Sequence, residues 1–145
     1  MARGESMIVM TAAELQAFLA REFAQVAEDF VVERADAAGL CLRLAVQDKH
    51  LRPGGTVSGP AIFALADVAM YLAILSRIGP VALAVTTNCS MDFMRKPQAG
   101  VDMRAEARVL KLGRSLAVGD VMLFSDGMAE PVARASLTYS IPPAR

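Results

Sequence analysis

The stretch Ser58–Ser76, SGPAIFALADVAMYLAILS, is apolar at every position from Pro60 to Leu75 except Asp67. A helix that is hydrophobic on all faces belongs in a protein core or in a membrane. The apolar runs on either side of Asp67 fall well short of the ~18 to 20 residues that cross a bilayer, and Arg77 follows at once, so the stretch predicts a core helix over 60–78. Asp67 then becomes a buried carboxylate, which is costly unless it is paired or hydrogen-bonded. It either caps a neighbouring amide or meets an arginine, or it is retained for chemistry.

Working outward, Ser58 or Gly59 suits the N-cap and Pro60 the first turn, while Gly79-Pro80 ends the helix. The turn-rich segment Asp48 to Gly59 precedes it. Further upstream, Thr11-Ala-Ala-Glu14 is a capping-box sequence. It leads into Leu15, Phe18, Leu19, Phe23 and Val26, spaced for one face of a packing helix over 11–27. Phe30 to Arg34 and Leu40 to Val46 read as a hairpin closed by Asp36-Ala-Ala-Gly39. Downstream, four strands are expected, at Val81–Met94, Val101–Leu112, Ser115–Phe124 and Pro131–Ile141, and their short connections favour an antiparallel meander. The expected architecture is α+β: an antiparallel sheet of about six strands wrapped around one long helix, with an N-terminal helix in addition.

A chain of 145 residues fits one domain, 1–145, with residues 1–10 expected to be flexible. Fifteen basic and fifteen acidic side chains cancel, so no overall field recruits nucleic acid or anionic lipid, and an anionic ligand must be met by local cations. The first residues, MARGESMIVMTAAE, carry Glu5 and Glu14 and only a short apolar patch, which is neither a secretory signal nor a transit peptide; a cytoplasmic location is expected. Cys41 and Cys89 lie in apolar strand-like runs without metal spacing and read as buried reduced thiols. The single histidine, His50, excludes multi-histidine zinc sites and reads as a solvated loop residue. With no Walker loop and no G-x-G-x-x-G, kinase and ordinary dehydrogenase chemistry are also set aside.

The phrases SGPAIFALAD, TTNCSMDFMRKPQAG and LKLGRSLAVGDVMLFSDG, in this order over roughly residues 30–141, resemble the hot-dog thioesterases of the phenylacetyl-CoA (PaaI) type. The resemblance implies a hot-dog fold and an acyl-CoA thioesterase needing no cofactor, since coenzyme A belongs to the substrate. Its catalytic acid would be Asp67, either as general base towards water or as nucleophile giving a mixed anhydride. The Gly59 amide would stabilise the oxyanion at the helix N-terminus, and Thr86 would help hold the water. Alternation along the strand places Asn88 and Ser90 on the face of Thr86, which makes Asn88 a further candidate. Arg95, Lys96, Lys111 and Arg114 stand where relatives meet the coenzyme A phosphates, although Lys111 and Arg114 also read as an ordinary solvated turn. Three positions depart from the pattern: Ser58 replaces a histidine, Pro60 replaces a second glycine and so removes one amide donor, and Arg52 replaces an asparagine that contacts the thioester or water.

Asp67 lies eight residues beyond Gly59, about 12 Å along a helix at roughly 1.5 Å per residue, so the two cannot flank one carbonyl within one chain. An antiparallel helix from a second copy would bring them together. A homodimer, or a dimer of dimers, is therefore expected, consistent with the family's sites at subunit interfaces. A non-catalytic acyl-CoA or small-ligand binding protein is the alternative. A hydratase or dehydratase fits less well, because those enzymes pair a histidine with an acid and this helix has no histidine.

Overall fold

The computed structural model describes residues 7–143. Part of the N-terminal segment expected to be flexible, residues 1–6, lies outside the described residues. Val9 and Met10 are tied down, their N–H groups donating to the Ser76 carbonyl at 2.6 and 3.3 Å.

Helix α1 (Ala12–Glu22) starts on the expected capping box: Thr11 Oγ1 accepts from the Glu14 N–H at 3.2 Å, and the Glu14 carboxylate accepts from the Thr11 N–H at 2.9 Å. Leu15, Phe18 and Leu19 are buried beneath it. The single helix expected over 11–27 is broken at Phe23, whose backbone leaves helical geometry (φ −136°, ψ 49°) before the short α2 (Ala24–Ala27). That break turns the Phe23 ring toward the core.

Strands β1 (Phe30–Asp36) and β2 (Gly39–Leu44) form the expected hairpin. A 3₁₀ turn (Asp48–His50) leads to α3 (Gly59–Ile78). Ser58 is the N-cap, its Oγ accepting from the Ala61 N–H at 3.2 Å, and Gly79 at φ 97° ends the helix. At 20 residues α3 is long and apolar enough to span a bilayer, so length alone does not decide its place. Twelve of its side chains, including Leu65, Met70, Leu72 and Leu75, are buried against the protein instead.

The remaining strands are β3 (Val85–Phe93), β4 (Met103–Leu112), β5 (Leu116–Ser125) and β6 (Ala133–Ser140). All pairings are antiparallel, and the six-stranded sheet has the order β1-β2-β4-β5-β6-β3. It wraps α3 as a hot-dog fold. The expected four-strand meander holds only for β4, β5 and β6. β3 lies at the far edge, against β6, so the segment from Met94 to Asp102 crosses two strands to reach β4. The distance, three strand spacings or about 14 Å, is within easy reach of that segment at roughly 3.3 Å per residue. Loop length permitted both arrangements, and burial of α3 by a curved sheet selects this one.

Candidate active site

Asp67 sits on the stripe of α3 that the sheet leaves open, with Pro60, Phe63 and Ala64 exposed one and two turns before it and Tyr71 half-buried one turn after. Its carboxylate is held from the sheet. Thr86 of β3 and Tyr139 of β6 are cross-strand partners, and pairing at this register directs both side chains to the inner face. The Thr86 hydroxyl donates to Asp67 Oδ1 at 2.6 Å and the Tyr139 hydroxyl to the same oxygen at 2.7 Å. Neither arginine pairing nor amide capping compensates this acid. Two hydroxyls do, and among the described residues no hydrogen bond or ion pair uses Oδ2.

Two cavities meet at this residue, since Asp67, Val68 and Phe23 line both. One, of about 430 Å³, carries Thr86, Tyr139, Tyr71 and Glu22. The other, of about 380 Å³, is walled by Val26, Phe30, Leu44 and Phe63 and reaches Asp29, Lys49 and His50. The larger cavity of about 1000 Å³ lies beyond Ala82 and Leu83, with Arg114 as its one charged lining residue. Asp67 does not line this larger cavity.

Burial, and then the negative charge of Asp67, push the Tyr139 phenol well above its ordinary value, so its proton stays on oxygen. Tyr71 is raised too, by burial and by Glu22; its hydroxyl donates to the Ala82 carbonyl at 2.9 Å, while Met70 packs wholly in the core. Burial raises the Asp29 carboxyl, but hydrogen bonds and charges from Lys49, His50 and Gln47 outweigh it and leave Asp29 below the usual carboxylate range.

His50 is buried, contrary to its reading as a solvated residue. Its Nδ1 accepts from the Gln47 N–H at 2.9 Å and its Nε2 faces Asp29 Oδ2 at 3.6 Å, so it fastens the loop that leads into α3. His50 thus stands beside an acid at the wall of the second cavity, on the loop before α3 and not on the helix itself. Cys89 is half-buried rather than buried, and both cysteines are free.

The other predicted site residues are dispersed. Gly59 opens α3, and its N–H has no acceptor among the described residues. Ser58 is spent on the cap. Arg52 is exposed in the loop before it. Arg95 is engaged, pairing with Glu130 at 3.3 Å and donating to the Pro131 carbonyl at 2.8 Å. Lys96, Lys111 and Arg114 lie away from Asp67, Lys96 being exposed and the other two at the rim of the β4–β5 turn. None of these lines the two cavities at Asp67.

Asn88 is misplaced by simple alternation. A bulge between Thr86 and Asn88 sets Thr86 opposite Tyr139 but Asn88 opposite Thr138, the next residue along β6. Asn88 and Ser90 therefore share the outer face with Thr138 and Ser136, away from Asp67. Tyr139 is the residue that sequence reasoning missed. Its signal was a polar-tipped side chain among the inward positions Ala133, Ala135 and Leu137, since a buried tyrosine hydroxyl requires a partner.

Residues 54–132 match the family model described as the thioesterase superfamily. The chain belongs to the thioesterase superfamily. A candidate thioesterase of Silicibacter sp. TM1040 is 53% identical, superposes with a TM-score of 0.90 and covers 96% of both chains. A variant of the phenylacetic acid degradation protein PaaI of Thermus thermophilus is 30% identical, with a TM-score of 0.70 over 82% of this chain and 99% of that one. A candidate esterase of Pseudomonas aeruginosa is 31% identical over 71% of this chain and 75% of its own length. Membership in this superfamily supports hydrolase chemistry in general, and an acidic residue, Asp67, lies where the two cavities meet.

Proposed function

We propose that this protein is an acyl-CoA thioesterase of the PaaI-like kind, acting on small or medium aromatic or aliphatic acyl groups with Asp67 as its general base or nucleophile. The observation that carries the reading is a carboxylate with one oxygen doubly hydrogen-bonded and the other free, facing cavities of a size suited to a short acyl group. In this reading the thioester oxygen lies against the unpaired Gly59 N–H, where the helix dipole favours the developing negative charge. Asp67 Oδ2 takes a proton from water as the hydroxide attacks the carbonyl carbon, or attacks that carbon itself to give an anhydride that water then opens. Either course expels the coenzyme A thiolate. The phosphates would extend over Leu83 toward Arg114 and Lys111 at the β4–β5 turn, with Arg95 and Lys96, past the other end of β3, as the alternative cations and Arg52 near the thioester.

Gly59 and Asp67 of one chain are too far apart to share a carbonyl, so the reading requires a homodimer, alone or paired into a dimer of dimers. Supporting it, the open stripe of α3 carries exposed Phe63, and the unpaired edge strand β3 with its flanks exposes Leu83, Val85 and Phe93. Such an apolar edge calls for a partner.

Thiol release from an acyl-CoA panel tests the proposal. Asp67→Asn should retain the fold and lower kcat by about 10² to 10⁴, the range for loss of a positioned base. Turnover unchanged in that variant rejects the assignment. Saturable acyl-CoA binding without thiol release by the wild type would favour a non-catalytic binding protein.

A further inference from the structure

We infer that Tyr139 is a positioning residue that selects which oxygen of Asp67 does the chemistry. The inference rests on the reading of Asp67 as the catalytic carboxylate. A carboxylate oxygen has two lone-pair directions. Thr86 and Tyr139 occupy both at Oδ1, at 2.6 and 2.7 Å. That leaves Oδ2 as the oxygen free for water or thioester.

Tyr139 has the geometry for this task. Its hydroxyl lies 2.9 Å from the Asp67 backbone carbonyl as well as 2.7 Å from Oδ1, but it has a single proton. The backbone carbonyl already faces the N–H one helical turn on, and the charged oxygen is the stronger acceptor, so the proton goes to Oδ1. The ring is 2% exposed and stacks on Tyr71 with centroids 6.2 Å apart, which fixes the hydroxyl without help from solvent. Tyr139 comes from a central position of the sheet, between β3 and β5, whereas Thr86 comes from the edge strand beside a bulge. Tyr139 is thus the rigid donor of the pair.

Glu22 in the same cavity, Cys89 on β3, and Asp29, Lys49 and His50 lining the second cavity are the other titratable groups around Asp67. Among the described residues none of these groups bonds to the Asp67 carboxylate, so the two hydroxyls alone set its orientation.

Tyr139→Phe keeps the ring and removes only the donor. It should lower kcat about tenfold or more with KM nearly unchanged, and preserve the fold by circular dichroism. Thr86→Val provides the same test from the other donor. With Tyr139 in place it should retain more activity than Asp67→Asn, and the double variant should fall to the Asp67→Asn level. Wild-type kcat in Tyr139→Phe, beside an inactive Asp67→Asn, overturns the role of Tyr139 alone. Thr86→Val as inactive as Asp67→Asn does the same. Full turnover in Asp67→Asn overturns the catalytic reading, and this inference with it.

Discussion

Met70 occupies the space that a side chain at Gly119 would need. A Cβ at Gly119 would collide with Met70 Cε, stand 2.7 Å from its Sδ, and lie 2.5 Å from the Arg108 carbonyl oxygen on the neighbouring strand. This contact seats α3 on the sheet three residues beyond Asp67. The sulfur end of Met70 can swing aside, but the Arg108 backbone cannot without breaking the β4–β5 ladder. Gly119→Ala should therefore cost about 1 to 3 kcal/mol as overpacking, seen as a midpoint shift in urea unfolding with an unchanged slope. Unaltered stability would mean that β5 and α3 separate more easily than their packing suggests.

How much of this was legible beforehand varies by element and for physical reasons. The carboxylate of Asp67 stood out because its neighbours are apolar for a turn and more on both sides, and the capping residues Thr11, Glu14 and Ser58 act locally, within three residues. Strand order was not local. Nothing in the Arg95–Gly100 connection says whether β3 returns beside β4 or crosses to β6. The same blindness hid Tyr139, which meets Asp67 from 72 positions away and only through the Thr86↔Tyr139 register. Asn88 shows the complementary failure: period-two reasoning is sound until one bulge inverts it.

The Asp29 cluster predicts a pH dependence of stability. Folded Asp29 has a lowered pKa, with Lys49 Nζ at 3.0 Å from Oδ1, the Gln47 amide at 3.1 Å and His50 beside it. A depressed carboxylate stabilises the folded state above its unfolded value, near pH 3.9, and that contribution disappears as pH falls through the lower folded value. Asp29→Asn should be less stable than wild type at pH 7, and the two should converge as the medium is acidified below about pH 4. Urea midpoints measured across that window decide it. Parallel curves would show that Lys49 and His50 add nothing at this site.

Phe63 links the assembly to the chemistry. It lies on the open stripe of α3 one turn before Asp67, is 41% exposed, and also walls the apolar cavity at Asp67. If a second α3 packs antiparallel across this stripe, each carbonyl is flanked by Gly59 of one copy and Asp67 of the other. The eight-residue separation within one chain, about 12 Å along the helix axis, then ceases to be an obstacle. Phe63→Lys places a charge in the middle of that contact and should convert the assembly to a folded monomer in sedimentation, with thiol release lost along with it. Because this substitution also disturbs the cavity wall, Met94→Lys, exposed just past the end of β3 and lining neither cavity at Asp67, supplies a control. It should weaken association in the same direction, with activity recovering as protein concentration rises. A stable monomer that retains full turnover would sink the shared-site model.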